Sequence, residues 1–103
     1  MPVPSLRAFF PGATLQTIAG HIRNAVKGRK IGEIMSLEVR GTEMIVTIAK
    51  MGTSTLRFTS VARDGGTECS LVEEKLALAH RPFRDDVTNK LTRIVLQSGG
   101  QVL

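Results

Sequence analysis

The sequence predicts an α+β domain in two layers: a helix, a four-stranded antiparallel meander and a second helix. Three observations predict it. Apolar residues recur at helical spacing over 15–26 and 87–95, they alternate with polar ones between Ile31 and Val72, and short glycine-containing turns punctuate the alternating stretch. With 103 residues, 42% of them hydrophobic and 22% charged, the chain has the make-up of one globular domain.

Residues 1–13 are rich in proline and glycine and are expected to form an irregular arm, pinned by Leu6, Phe9 and Phe10, ahead of a single domain at 14–103. Thr14 is the expected N-cap of the first helix, whose apolar stripe is Leu15, Ile18, Ala19, Ile22 and Val26. Gly28 ends it, and Lys27 stands near the negative end of its dipole.

From Ile31 the period is two. Arg40-Gly41-Thr42-Glu43 has glycine where a type II′ hairpin needs it, and the register this turn sets can be tested. With Arg40 opposite Glu43, Val39 faces Met44, Leu37 faces Val46 and Met35 faces Ile48, with Glu33 meeting Lys50 at the margin. A slip of one residue would scatter these apolar pairs. A turn at Gly52-Thr53-Ser54 leads into a strand with Leu56, Phe58, Ser60 and Ala62 inward. Asp64-Gly65 is a favoured type I′ pair, which places Phe58 opposite Leu71 and Ser60 opposite Cys69. The fourth strand loses its phase at Glu73-Glu74-Lys75, where a bulge is expected to return Leu76 and Leu78 to the core. Arg81-Pro82-Phe83 breaks the chain, Asp85-Asp86 opens the last helix, and Val87, Leu91, Ile94 and Val95 form its stripe up to Ser98-Gly99-Gly100.

The charge is uneven. The net +5 lies wholly within Met1–Gly32, which holds Arg7, Arg23, Lys27, Arg29 and Lys30 and no acidic residue, whereas nine basic and nine acidic residues balance thereafter. Arg23, Lys27, Arg29 and Lys30 are therefore the candidate anion-binding set, for nucleic-acid phosphates or membrane head groups. With no Trp or Tyr, and with the four Phe residues expected in the arm or core, a base-stacking platform is missing. The second candidate surface is the outward sheet face, mixed and half apolar, with Ile34, Ile45, Thr47, Ala49, Arg57, Thr59 and Val61 as interface residues for a second copy or a protein partner. A solvated face has the same composition.

Catalytic and metal-binding patterns are wanting. His21, His80 and Cys69 match no ligand spacing, and Cys69 falls among inward residues as a small buried thiol. Glu73 and Glu74 point to opposite faces of a strand, and Asp85-Asp86 is more simply a helix start. Gly28-Arg29-Lys30 lacks the preceding glycine and strand of a phosphate-binding loop. No catalytic residue, no metal and no cofactor are expected. A single cysteine and an N-terminus without a continuous apolar run lead to the expectation of a cytoplasmic protein without a leader.

Residues 44–96 carry a resemblance. The run Met44-Ile-Val-Thr-Ile-Ala-Lys-Met-Gly, then Leu56-Arg-Phe, Asp64-Gly-Gly, Leu76-Ala-Leu-Ala-His-Arg-Pro-Phe-Arg and a closing amphipathic helix resembles the small bacterial polyhydroxyalkanoic acid system proteins. The likeness rests on turns and apolar alternation. It implies a bacterial cytoplasmic accessory protein of storage granules, with no catalytic residues to transfer. This chain departs from that pattern in its proline-rich arm and at Glu73-Glu74-Lys75.

The function expected is that of a non-enzymatic binding or assembly module that self-associates or docks on an anionic or apolar surface. The alternatives are a small hydrophobic-ligand carrier or enzyme, with a pocket between sheet and helices near Met35, Phe58, Leu71 and Leu91, and a nucleic-acid-backbone binder through the basic end of helix 1.

Overall fold

A computed structural model describes residues 6–103. In chain order the elements are β1 (Arg7–Pro11), α1 (Leu15–Val26), α2 (Lys30–Ile34), β2 (Met35–Arg40), β3 (Glu43–Ala49), β4 (Thr53–Arg63) and β5 (Gly66–Lys75). A 3-10 helix (Leu78–Phe83), α3 (Arg84–Gln97) and β6 (Gln101–Val102) follow. The architecture is α+β: an open antiparallel sheet of six strands in the order β2-β3-β4-β5-β1-β6, with α1 and α3 packed on one face.

The predicted hairpin forms in the predicted register, from Arg40 opposite Glu43 to Met35 opposite Ile48, with Gly41 at φ 60°. Each inward residue of β3 and the first half of β4 is buried: Met44, Val46, Ile48, Ser54, Leu56 and Phe58. Phe58 lies opposite Leu71 and Ser60 opposite Cys69, as the Asp64-Gly65 turn requires. That turn is not type I′, because Gly65 is at φ 80° while Asp64 keeps a negative φ. Ala62 is exposed near the tip rather than inward.

α1 begins at Thr14 with a reciprocal cap: Thr17 N–H donates to Thr14 Oγ1 at 3.3 Å, and Thr14 N–H donates to Thr17 Oγ1 at 2.9 Å. Ile18, Ala19, Ile22 and Val26 bury against the sheet. α3 brings Leu91, Ile94 and Val95 to the same layer, with Asp85 and Asp86 in its first turn.

Several expectations are corrected. The arm is not irregular over 7–11, which form β1. Ala8 and Phe10 are buried, and the strand pairs β5 from Arg7 opposite Ser70 to Pro11 opposite Gly66. The approach is close: a Cβ on Gly66 would lie 2.3 Å from the Phe10 carbonyl oxygen, so only glycine admits β1 there. Residues 1–5 of the predicted arm lie outside the described residues. With β6, the meander of four strands becomes a sheet of six.

Residues 30–34 form α2, not the start of a strand. Ile31 and Ile34 stand three apart and both pack against the core, so Ile34 is not on the outward sheet face and Glu33 does not pair with Lys50. The bulge falls one residue before the expected stretch. Arg57 faces Glu73 and Phe58 faces Leu71, leaving Val72 unpaired and turning Glu74 inward. There Glu74 accepts from Arg84 at the start of α3, Nε to Oε1 at 2.5 Å. Leu76 is half-buried, but Leu78 is 77% exposed and does not rejoin the core. Lastly, Phe83 is 60% exposed, in neither arm nor core.

Candidate functional site

The basic residues sort onto a groove. α1 ends at Val26, and Gly28, at φ 80°, turns the chain so that α2 folds back against the end of α1. The return is tight: a Cβ on Gly32 would sit 2.2 Å from the Val26 carbonyl oxygen. Between this turn and β2 lies a groove of about 490 Å³ whose wall includes Arg23, Lys27, Arg29, Met35 and Leu37. Three of the four predicted anion-binding residues line it. Lys30 is exposed at the start of α2 and is not part of its wall.

The electrostatics of the groove are one-sided. None of Arg23, Lys27, Arg29 and Lys30 makes an ion pair among the described residues, although eight pairs form elsewhere. Glu33 is the one carboxylate on the wall. Arg23 does make one contact: its Nη2 donates to the Leu37 carbonyl oxygen at 3.0 Å. That carbonyl belongs to the sheet edge, so a cation from α1 sits across the open side of β2.

The outward sheet face has a different character. Ile45, Thr47, Arg57 and Thr59 are half-buried there by their neighbours, and Ala49 and Val61 are exposed. Arg57 lies between two carboxylates, donating to Glu43 at 2.5 Å with Glu73 at 3.6 Å, and the Glu43 bond above all strengthens its hold on its proton. Glu68 lies between Arg7 at 2.9 Å and Arg63 at 3.6 Å, and the Arg7 hydrogen bond holds its carboxyl below the usual range. The charges of this face are thus satisfied within the sheet, whereas those of the groove are not.

A third arrangement was not foreseen. The hydroxyl of Ser54 hydrogen-bonds His80 Nδ1, and His80 Nε2 lies 2.5 Å from the Lys50 carbonyl oxygen. A carbonyl only accepts, so in the neutral ring Nε2 carries the proton and Nδ1 accepts from Ser54. Such a serine–histidine pair invites comparison with an activated nucleophile. However, Ser54 is 1% exposed and its Oγ also accepts from Ala77 N–H at 2.9 Å, so no substrate reaches it. The set instead latches the segment leading into the 3-10 helix onto the turn between β3 and β4. The two residues are 26 apart, and no spacing signal could have joined them.

Cys69 lies in the core beside Phe10 and Phe58, not beside His80. Burial, with a smaller push from Glu68, raises its thiol to about 11, so it is protonated and unreactive at neutral pH. Two voids lie between sheet and helices: one of about 30 Å³ lined by Met35, Phe58 and Leu91, and one of about 90 Å³ lined by Leu71, Leu91, Glu74 and Arg84; each has room for water and neither for a drug-sized ligand. Among the described residues no group of three His, Cys, Asp or Glu side chains converges as a metal site, and no helix is long and apolar enough to cross a membrane. Compared with known proteins, the chain significantly matches no family model, no curated protein and no solved structure.

Proposed function

We propose that the protein is a non-enzymatic binding module that docks an anionic partner in the groove between the end of α1 and β2. The observation that carries this reading is the convergence of Arg23, Lys27 and Arg29 on one groove with no carboxylate among the described residues paired to any of them. Unpaired cations beside a concave surface raise the local concentration of anions and hold their oxygens by charge-assisted hydrogen bonds. Lys30, just outside the wall, extends the positive field. The resemblance of residues 44–96 to granule-associated proteins is compatible with an accessory role of this kind. The test is retention on inorganic polyphosphate and on anionic vesicles. Neutral replacement of Arg23, Lys27, Arg29 and Lys30 should weaken it by about 1 kcal/mol per charge, and salt should weaken it further. Unchanged retention would reduce the set to a solvated helix end.

A second reading is self-association through the outward face, supported by Ile45 and Val61 beside complementary charges. Light scattering after size exclusion tests it. A dimer that persists at high salt supports an interface there, and a monomer at low and high salt rejects it.

A further inference from the structure

The same groove runs beside an unpaired strand edge, and the two features together specify more than a charge. β2 ends the strand order, so one side of it has no neighbour among the described residues. The two-residue loop makes Arg40 and Glu43 the closing hydrogen-bonded pair of the hairpin. Antiparallel alternation then turns the N–H and C=O groups of Arg40, Glu38 and Ser36 toward β3, and those of Val39, Leu37 and Met35 away from the sheet. The Arg23 contact fits this alternation, since the Leu37 carbonyl is the one its guanidinium reaches.

The geometry points to strand addition: an acidic peptide segment of a partner protein lies extended along β2, bonding the outward groups of Met35, Leu37 and Val39 while its carboxylates meet Arg23, Lys27 and Arg29. This rests on the anion-docking reading and names its partner class. Successive side chains of an added strand point to opposite faces, so alternate ones enter the groove between β2 and α1, where the three cations and the apolar Met35 and Leu37 are. A glutamate suits such a position, with an aliphatic stem over the floor and a carboxylate at the rim. The intervening side chains meet Ser36, Glu38 and Arg40, of which the last two already pair at 3.1 Å, so the outer positions call for neutral residues. The charge pattern also selects against a second copy of this chain. Pairing two β2 edges would oppose the two unpaired basic clusters, and like charges brought together disfavour that arrangement. In the free protein, Arg23 occupies the Leu37 carbonyl and exchanges it for a carboxylate when the peptide arrives.

The probe is an acetylated, amidated peptide of alternating threonine and glutamate about eight residues long. It is titrated into the full chain at low salt while amide hydrogen exchange is followed residue by residue. The expected result is salt-sensitive binding together with slowing of the Leu37 and Val39 amides by about tenfold or more, since they gain acceptors only if a strand is added. Binding should fall about tenfold or more in the combined Arg23→Ala, Lys27→Ala and Arg29→Ala variant. Inorganic polyphosphate, which cannot form a strand, serves as the second probe. If polyphosphate binds but the peptide fails to bind, or binds without slowing those amides, strand addition is overturned and the anion groove stands. If neither probe binds, both are overturned. If the peptide makes the chain associate by protecting outward-face residues instead, the edge is not the site.

Discussion

At the β1–β6 edge of the sheet, Ala8 and Phe10 are buried and the Leu103 N–H still reaches the Arg7 carbonyl at 2.9 Å, beyond the last residue of β6. At the β2 edge, Met35, Leu37 and Val39 are only half-buried, and Arg23 lies across the free Leu37 carbonyl. On the first side β1 is held by shape and apolar burial, with only the exposed two-residue β6 beyond it, and the second edge is guarded by charge. Burial excludes water and is insensitive to salt, so it suits a permanent join. A guanidinium on a carbonyl is hydrated and exchangeable, so it keeps an edge from unspecific pairing while leaving it available to a carboxylate-bearing strand.

Truncating the anchor of the permanent edge should break this contrast most severely. Phe10→Ala removes a ring buried in the core and should cost about 3–5 kcal/mol, read from the urea midpoint. A loss below about 1 kcal/mol would mean that β1 is dispensable and the two edges are alike.

Next in size is a pH effect on the same side of the sheet. An unfolded thiol ionises near about 8.5. With the folded value raised to about 11, Cys69 leaves stability unchanged below the unfolded value and lowers it as pH rises from there toward 11. The loss should reach about 2–3 kcal/mol. It should be absent in Cys69→Ala, and the absence of Tyr from the sequence removes one competing titration.

At the guarded edge, Gly32→Ala forces α2 away from the Val26 carbonyl and should cost about 1–3 kcal/mol, with loss of polyphosphate retention as the groove opens. Retention at full strength would show that the groove does not depend on that close approach. Arg23→Ala, by contrast, should change stability by less than about 0.5 kcal/mol, because its single hydrogen bond is exposed. It should instead increase concentration-dependent association in light scattering, since the β2 edge loses its guard. Unaltered association would mean that Arg23 does not protect the edge.

The same two edges show how far the chain was legible. The hairpin that carries β2 is legible from the Arg40–Glu43 pair to the Met35–Ile48 pair, though not in the expected Glu33–Lys50 pair at its margin, because alternation and a glycine-containing turn both act within one hairpin and agree with each other. The cap at Thr14 and the stripes of α1 and α3 were legible for the same reason. β1 was not, although Ala8 and Phe10 alternate with Arg7 and Phe9: a five-residue signal beside three prolines reads as an arm. α2 was missed because two isoleucines three apart also look like the opening of a strand. Of the candidate site, the four cations were legible as a cluster. Their distribution was not, since Lys30 leaves the wall and Arg23 turns to β2.

Local chemistry along the chain was enough to set the class of fold, the hairpin registers and the two packed helices. Periodicity and turn residues are properties of neighbours, and their free energy is realised within one element or one hairpin. The six-stranded sheet, the serine–histidine latch and the pairing of β1 with β5 depend on groups tens of residues apart. Their stability comes from partners that no local window contains, and it is gained only after loop-closure entropy has been overcome. The cationic groove is of the second kind. Its charges are written in sequence between Arg23 and Lys30, but their convergence beside an open strand edge arises only when α2 folds back and β2 takes its place at the end of the sheet.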